Sequence, residues 1–238
     1  MELQEKMSLS EWENIFRSWV SPPSETEQTK ADNAERAIKE AIRDYPGFST
    51  KTVTVFKQGS YRALTNVRQD SDVDICACMQ STFCYDLPSI IANPRDYGIS
   101  PGTGDNFSSF KSQVEGALAK KFGRQSIKRG DKAFDIHENS YRLNADVLAA
   151  FQYRWYNGSS NNYGQPTYYE GIKFFTDLGV GIINWPEQSY QNGVSKNKET
   201  SYRCKAMIRV IKRLRNYMQE KGIAAAKGIA SSLIEGLV

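Results

Sequence analysis

The chain has 238 residues, 39% hydrophobic and 24% charged, with a formal net charge of +4. That size and balance fit a soluble globular protein of one large domain or two small lobes, and so mild a charge does not by itself imply nucleic-acid binding. No apolar run reaches the ~18 residues of a membrane span, and MELQEKMSLSEWENIF lacks a signal-peptide layout, so no membrane association is expected and a cytoplasmic location is read.

In chain order, Ser8 to Val20 reads as a helix, with Leu9, Trp12, Ile15, Phe16 and Trp19 at helical spacing. Ser21-Pro22-Pro23 punctuates, and a second helix is expected to run to Asp44, stopped by Pro46-Gly47. Lys51 to Lys57 alternates as a strand that ends at Gly59-Ser60, and Tyr61 to Val67 is a short turn or helix. Ser71 to Met79 alternates again: Val73, Ile75, Ala77 and Met79 point one way, Asp72, Asp74, Cys76 and Cys78 the other. A helix is expected over Phe107 to Phe122, then three strands in an antiparallel meander, Gln125–Arg129, Lys132–Ile136 and Tyr141–Ala150. Asn157 to Gln165 and Gln188 to Val194 read as loops, Lys198 to Lys221 as one long helix and Ile229 to Val238 as another. Lys196 to Arg215 holds eight basic residues against the single acid Glu199. The C-x-C-x5-C spacing of Cys76, Cys78 and Cys84 and a single histidine, His137, suit free thiols better than zinc.

The chemistry is carried by Asp72 and Asp74. A period of two aims both at one face, where two close carboxylates repel and are costly to bury. Mg²⁺ or Mn²⁺ removes that cost, because hard divalent cations take carboxylates together with substrate phosphates. Asp146, the one acid in the apolar stretch of RLNADVLAAF, is the expected third ligand. Three acids can hold two metals, one lowering the pKa of an attacking hydroxyl and one neutralising the leaving phosphates. Gly59 lets backbone approach a phosphate, and Ser60 supplies a hydroxyl and an N–H. Alone, a D-x-D pair is more often a solvated surface feature, and a Gly-Ser weaker still; the combination of strand, Gly-Ser, S-D-V-D and a later strand aspartate is what points to nucleoside triphosphate chemistry. Tyr153, Trp155, Tyr156, Tyr163, Tyr168 and Tyr169 are read as packing, with nucleobase stacking the alternative. His137 is read as a hairpin residue.

GSYRALTNVRQDSDVDI, with a later strand aspartate, resembles the polymerase-β-like nucleotidyltransferases, and in its longer form the bacterial cGAS/DncV-like members, the CD-NTases. QNGVSKNKET, the helix KAMIRVIKRLRNYM and SSLIEGL are similar to that family's basic helix and the serine-containing helix after it. The resemblance implies an α+β fold: a small mixed sheet with flanking helices, taken here as residues 1–165, and a mostly helical lobe over 166–238. Because the chain halts in mid-apolar face within IASSLIEGLV, a trimmed or small lobe is expected. The resemblance also implies Mg²⁺ or Mn²⁺ on Asp72, Asp74 and Asp146, and donor triphosphate contacts from Gly59, Ser60, Lys212 and Ser232 (or Ser231). Leu233 stands where relatives can carry a base-stacking aromatic residue. ATP, and also GTP, UTP or CTP, would be joined into a cyclic oligonucleotide that a downstream anti-phage effector senses. A monomer with no strong nucleic-acid requirement is expected. The other readings are a synthase of linear oligonucleotides, a transferase with another acceptor, or a catalytically silent nucleotide-binding module.

Overall fold

The structure is a computed structural model that describes residues 7–67, 72–89, 92–100, 102 and 104–238. It divides into a sheet unit, Thr26–Gly59 with Asp72–Ser189, and a helical unit, Met1–Glu25 with Ser60–Ser71 and Tyr190–Val238. The boundary expected near residue 165 is therefore drawn elsewhere, and it interleaves along the chain.

The sheet unit begins in α2 (Glu25–Arg43), follows with β1 (Val53–Lys57), and enters α3 (Gly59–Ala63) at Gly59. It resumes with β2 (Val73–Asp86), α4 (Phe107–Phe122), β3 (Ile127–Arg129), β4 (Ala133–Ile136) and β5 (Ala145–Ser160). It closes with β6 (Pro166–Phe175), β7 (Gly181–Asn184) and the start of α5 (Pro186–Glu199). The strands form one mixed sheet in the order β1-β2-β5-β4-β3, with β6 joined to β5 and β7 to β6. The meander holds, since β3–β4 and β4–β5 are antiparallel, whereas β2 and β5 run parallel.

β5 is the spine. Its first residues lie between β2 and β4, and its later ones between β2 and β6. Each face is specified by alternation. Cys76, Cys78, Leu148, Ala150, Ile172 and Phe174 form a buried cluster on one side. Val73, Ile75, Ala77, Met79, Ala145, Val147 and Ala149 are buried on the other. There α4 packs through Phe110, whose ring centroid lies 5.6 Å from that of Phe151. Asn106 caps α4 by accepting from the backbone N–H groups of Ser108 and Ser109, and Gly123 ends it at a positive φ of +84° with extended ψ, a conformation open to glycine.

Residues 166–184, expected to open a helical lobe, instead form β6 and β7. Their aromatic and β-branched residues, Tyr168, Tyr169, Ile172, Phe174 and Phe175, favour a pleated surface next to β5. The loop expected at Asn157–Gln165 shrinks, because β5 runs on to Ser160 across a bulge. The loop expected at Gln188–Val194 lies inside α5, which Pro186 starts.

The helical unit contains α1 (Leu9–Trp19), α6 (Cys204–Glu220) and α7 (Ser231–Leu237). Ser8 and Glu11 form a capping box at the start of α1. The single helix expected over Lys198–Lys221 is broken at Ser201 and Tyr202, both at positive φ. Trp12, Phe16 and Trp19 of α1 form a ring cluster with Tyr217 of α6. Among the described residues no helix is long and apolar enough to cross a membrane.

Candidate active site

The acidic strand residues come together at the N-terminal ends of β2 and β5. Parallel pairing sets Asp74 directly beside Asp146. Adjacent strands are ~4.8 Å apart, so side chains at paired positions on one face are neighbours. Asp72 stands exposed one step before β2, and Asp74 and Asp146 are half-buried. Next along their face come Cys76, Cys78, Leu148 and Ala150, a wall of buried apolar groups. That wall explains why the site is partly dehydrated.

The electrostatics follow. The Asp146 carboxyl is pushed up to about 6, first by burial, then by the negative charges of Asp72, Asp135 and Asp74, and by a hydrogen bond with Asp135. Asp146 is thus in electrostatic reach of both members of the D-x-D pair. As placed, no three acidic, histidine or cysteine groups among the described residues close a coordination sphere. The donor set nevertheless suits a hard divalent cation, since the field that burdens Asp146 is one a cation relieves.

Gly59 is built into the same corner. The backbone N–H of Gln58 donates to the Asp74 carbonyl at 2.9 Å, which pins the end of β1 against β2. Gly59 then turns at φ +62°, and a Cβ on it would overlap Asp74 Oδ2 and lie 3.0 Å from Asp74 Cγ. Only glycine leaves room for that carboxylate. Ser60 follows in the first turn of α3, half-buried, its carbonyl accepting from the Thr65 N–H at 3.0 Å.

The remaining expected residues lie in the helical unit. Lys212 is 2% exposed and donates to Glu235 Oε1 at 2.6 Å and the Thr65 carbonyl at 3.1 Å. Two of its three N–H donors are therefore bound to groups of its own unit, and Thr65 Oγ1 also donates to Glu235. Arg209, on the same basic face, donates to the carbonyls of Val20 and Leu64. Ser231 Oγ accepts from Arg215 at 3.1 Å, and Ser232 and Leu233 are exposed. Lys212→Met is expected to lower the unfolding free energy by about 3 kcal/mol, because it leaves Glu235 without its cation. Denaturant titration reads the loss; an unchanged midpoint would show the pair to be dispensable.

The aromatic residues are placed away from the acids. Trp155 lies nine positions beyond Asp146 on β5, about 30 Å at a strand's rise. It stacks on Tyr169 with ring centroids 5.6 Å apart, and Tyr153 and Trp185 meet edge-on. Trp155 thus packs against Tyr169 and Trp185, in keeping with the packing reading of these aromatic residues. His137 is exposed, its N–H donating to the Ser126 carbonyl.

Asp135 on β4 is the residue that sequence reasoning missed. It lies opposite Asp146 in antiparallel register. The available signal was an acid alternating with Phe134 and Ile136 in a strand of the meander.

Asp146 also makes stability depend on pH. Its folded pKa is raised from 3.8 to about 6. Between these values the folded chain binds more protons than the unfolded one, so stability falls as pH rises through that window. In chelator-treated buffer, Asp146→Asn should melt above the parent at pH 8, with the gap closing near pH 4. A gap independent of pH would contradict this.

A mixed sheet presenting a D-x-D pair beside a third aspartate, next to a glycine turn, defines a nucleotidyltransferase-type catalytic core. Residues 191–238 match the family model described as the cGAS/DncV-like nucleotidyltransferase C-terminal helical domain. The cyclic dipyrimidine nucleotide synthase CdnE of Legionella pneumophila is 48% identical, over 96% of this chain and 76% of that protein. The structure of the Rhodothermus marinus CdnE c-UMP-AMP synthase with Apcpp and Upnpp superposes with a TM-score of 0.81 at 30% identity, covering 94% of this chain and 73% of that one. That of the Elizabethkingia meningoseptica CdnE cyclic dinucleotide synthase with GTP and Apcpp gives 0.72 at 32% identity, covering 97% and 74%. The chain belongs to the cGAS/DncV-like nucleotidyltransferase (CD-NTase) family. It spans about three quarters of the length of these relatives.

Proposed function

We propose that the chain joins nucleoside triphosphates into a cyclic oligonucleotide at Asp72, Asp74 and Asp146, using Mg²⁺ or Mn²⁺. The observation that carries this reading is the pairing of Asp74 with Asp146 across β2 and β5. A divalent metal held there supplies charge neutralisation at the triphosphate and a lowered pKa for the attacking ribose hydroxyl. The protein's part is positional. Parallel register holds Asp74 and Asp146 side by side, and the bare Gly59 backbone leaves the Asp74 carboxylate its space. The apolar wall of Cys76 and Leu148 limits water on that face, which strengthens each charge interaction. The hydroxyl attacks the α-phosphate of a second nucleotide, pyrophosphate leaves, and a second round closes the ring.

Triphosphate contacts by Gly59, Ser60, Lys212 and Ser232 belong to the same proposal and rest on the family resemblance. Likeness to the Legionella pneumophila enzyme makes UTP and CTP the first substrates to test, ahead of ATP and GTP. The product would serve as a second messenger read by an effector in anti-phage signalling. Mass spectrometry after incubation with the four NTPs and Mg²⁺ tests the reading. A phosphatase-resistant cyclic product is expected. NTPs left intact until an acceptor is added would favour group transfer, and binding without pyrophosphate release would favour a silent module.

A further inference from the structure

We infer that Thr65 and Glu235 are positioning residues for the donor triphosphate, which hold the Lys212 ammonium in one orientation and tie it to the turn that carries Ser60. The inference rests on the proposed triphosphate contacts of Ser60 and Lys212. All of these groups lie in the helical unit. Thr65 closes the stretch GSYRALT that opens with Gly59 and Ser60, and it is buried. It is used at three points. Its N–H donates to the Ser60 carbonyl at 3.0 Å, its carbonyl accepts from Lys212 Nζ at 3.1 Å, and its hydroxyl donates to Glu235 Oε1 at 2.6 Å. The same Glu235 oxygen accepts from Lys212 Nζ at 2.6 Å. Thr65, Lys212 and Glu235 thus close a ring of hydrogen bonds, and the Thr65 N–H links that ring to Ser60.

The members of the ring are fixed in turn by their own segments. Leu64 sits at φ +59°, a conformation that a residue other than glycine keeps only when its surroundings impose it. Its carbonyl accepts from Arg209 Nη1 at 2.6 Å, about one turn before Lys212 on α6. Arg215 donates to the Ile229 carbonyl and to Ser231 Oγ, which sets the start of α7 about one turn before Glu235. An exposed lysine swings on a flexible four-carbon stem and must be ordered when it meets a phosphate. Lys212 is already ordered by folding. An ammonium has three N–H donors, and with two bound to fixed acceptors the direction of the third is set. That donor is left for a charge-assisted hydrogen bond to a phosphate oxygen. Glu235 meanwhile supplies the counter-charge that a buried ammonium needs before any nucleotide arrives.

The test is calorimetric titration of the purified full chain with inorganic triphosphate in Mg²⁺ buffer, with thermal melting used to express affinity per folded molecule. Thr65→Val removes the hydroxyl at nearly constant size, and Glu235→Gln removes the charge. Each should weaken triphosphate binding about tenfold, the worth of one hydrogen bond to a charged group. Thr65→Ser keeps the hydroxyl and should stay within about twofold of the parent. A ring that only ties α7 to α6 would lower the melting temperature of these variants and leave the affinity of the folded molecules unchanged. Parental affinity in Thr65→Val or in Glu235→Gln, or a Thr65→Ser variant no better than Thr65→Val, therefore overturns the positioning role. If Thr65→Val does not fold, Glu235→Gln carries the criterion against the parent. Lys212→Met separates the two levels of the reading. Parental affinity in that variant, or no binding by the parent, removes the triphosphate contact of Lys212 and the inference with it. Lost affinity in Lys212→Met beside parental affinity in Thr65→Val or Glu235→Gln leaves the contact standing and removes only the inference.

Discussion

Asp74→Asn is expected to lower nucleotide-product formation by on the order of 10³-fold while leaving the melting temperature at or above that of the parent. The loss reflects several kcal/mol of charge stabilisation at the transferring phosphoryl group that depend on a ligated metal. Asparagine keeps the size of the side chain but not its charge, so a cation at the paired Asp74–Asp146 position loses its main attraction. The unchanged or raised stability comes from the same geometry, because Asp74 is among the charges that oppose ionisation of Asp146. Function and stability therefore move in opposite directions, as they do where an active site keeps repelling groups together. Pyrophosphate release and thermal melting are the two measurements. Parental activity in Asp74→Asn would remove the metal assignment at its centre.

Gly59→Ala should lower activity by roughly 10²-fold while costing only about 1 kcal/mol of stability. The stability term is the ordinary cost of an L-residue at φ +62°. The activity term has a separate origin. The new methyl would occupy the space of Asp74 Oδ2, so either the carboxylate or the β1–α3 turn must shift. A displacement on the order of 1 Å at a ligating oxygen has that effect on rate. Gly59→Ala should also raise the Mg²⁺ concentration needed for half-maximal rate, which a purely structural change would not do. An unchanged Mg²⁺ requirement would show that Asp74 retains its place despite the methyl.

Much of the site was legible because it is local. Alternation from Ser71 to Met79 placed Asp72 and Asp74 on one face, whatever the strand later paired with. Asp146 could be found as a lone acid in an apolar strand. Asp135 was not found, because one acid in a short strand gains meaning only through register with another strand. Lys212 entered only through the family resemblance, and nothing local in the sequence named its partners. The structure buries it against Glu235 and the Thr65 carbonyl, partners 23 and 147 residues away. The helix expected over Lys198–Lys221 failed for a comparable reason: helical periodicity does not register that Ser201 and Tyr202 adopt positive φ.

By itself the amino-acid sequence determined the strand that carries Asp72 and Asp74, the glycine that turns before it, the ends of α4 and the mixed α+β class. These follow from side-chain alternation, capping and turn chemistry within a few residues. Only the tertiary structure decided that β2 runs parallel to β5, that Asp74 meets Asp146 and Asp135 in one row, and that residues 166–184 extend the sheet. Pairing between distant strands is chosen by which apolar faces bury one another across the whole sheet, and no short stretch of chain carries that information.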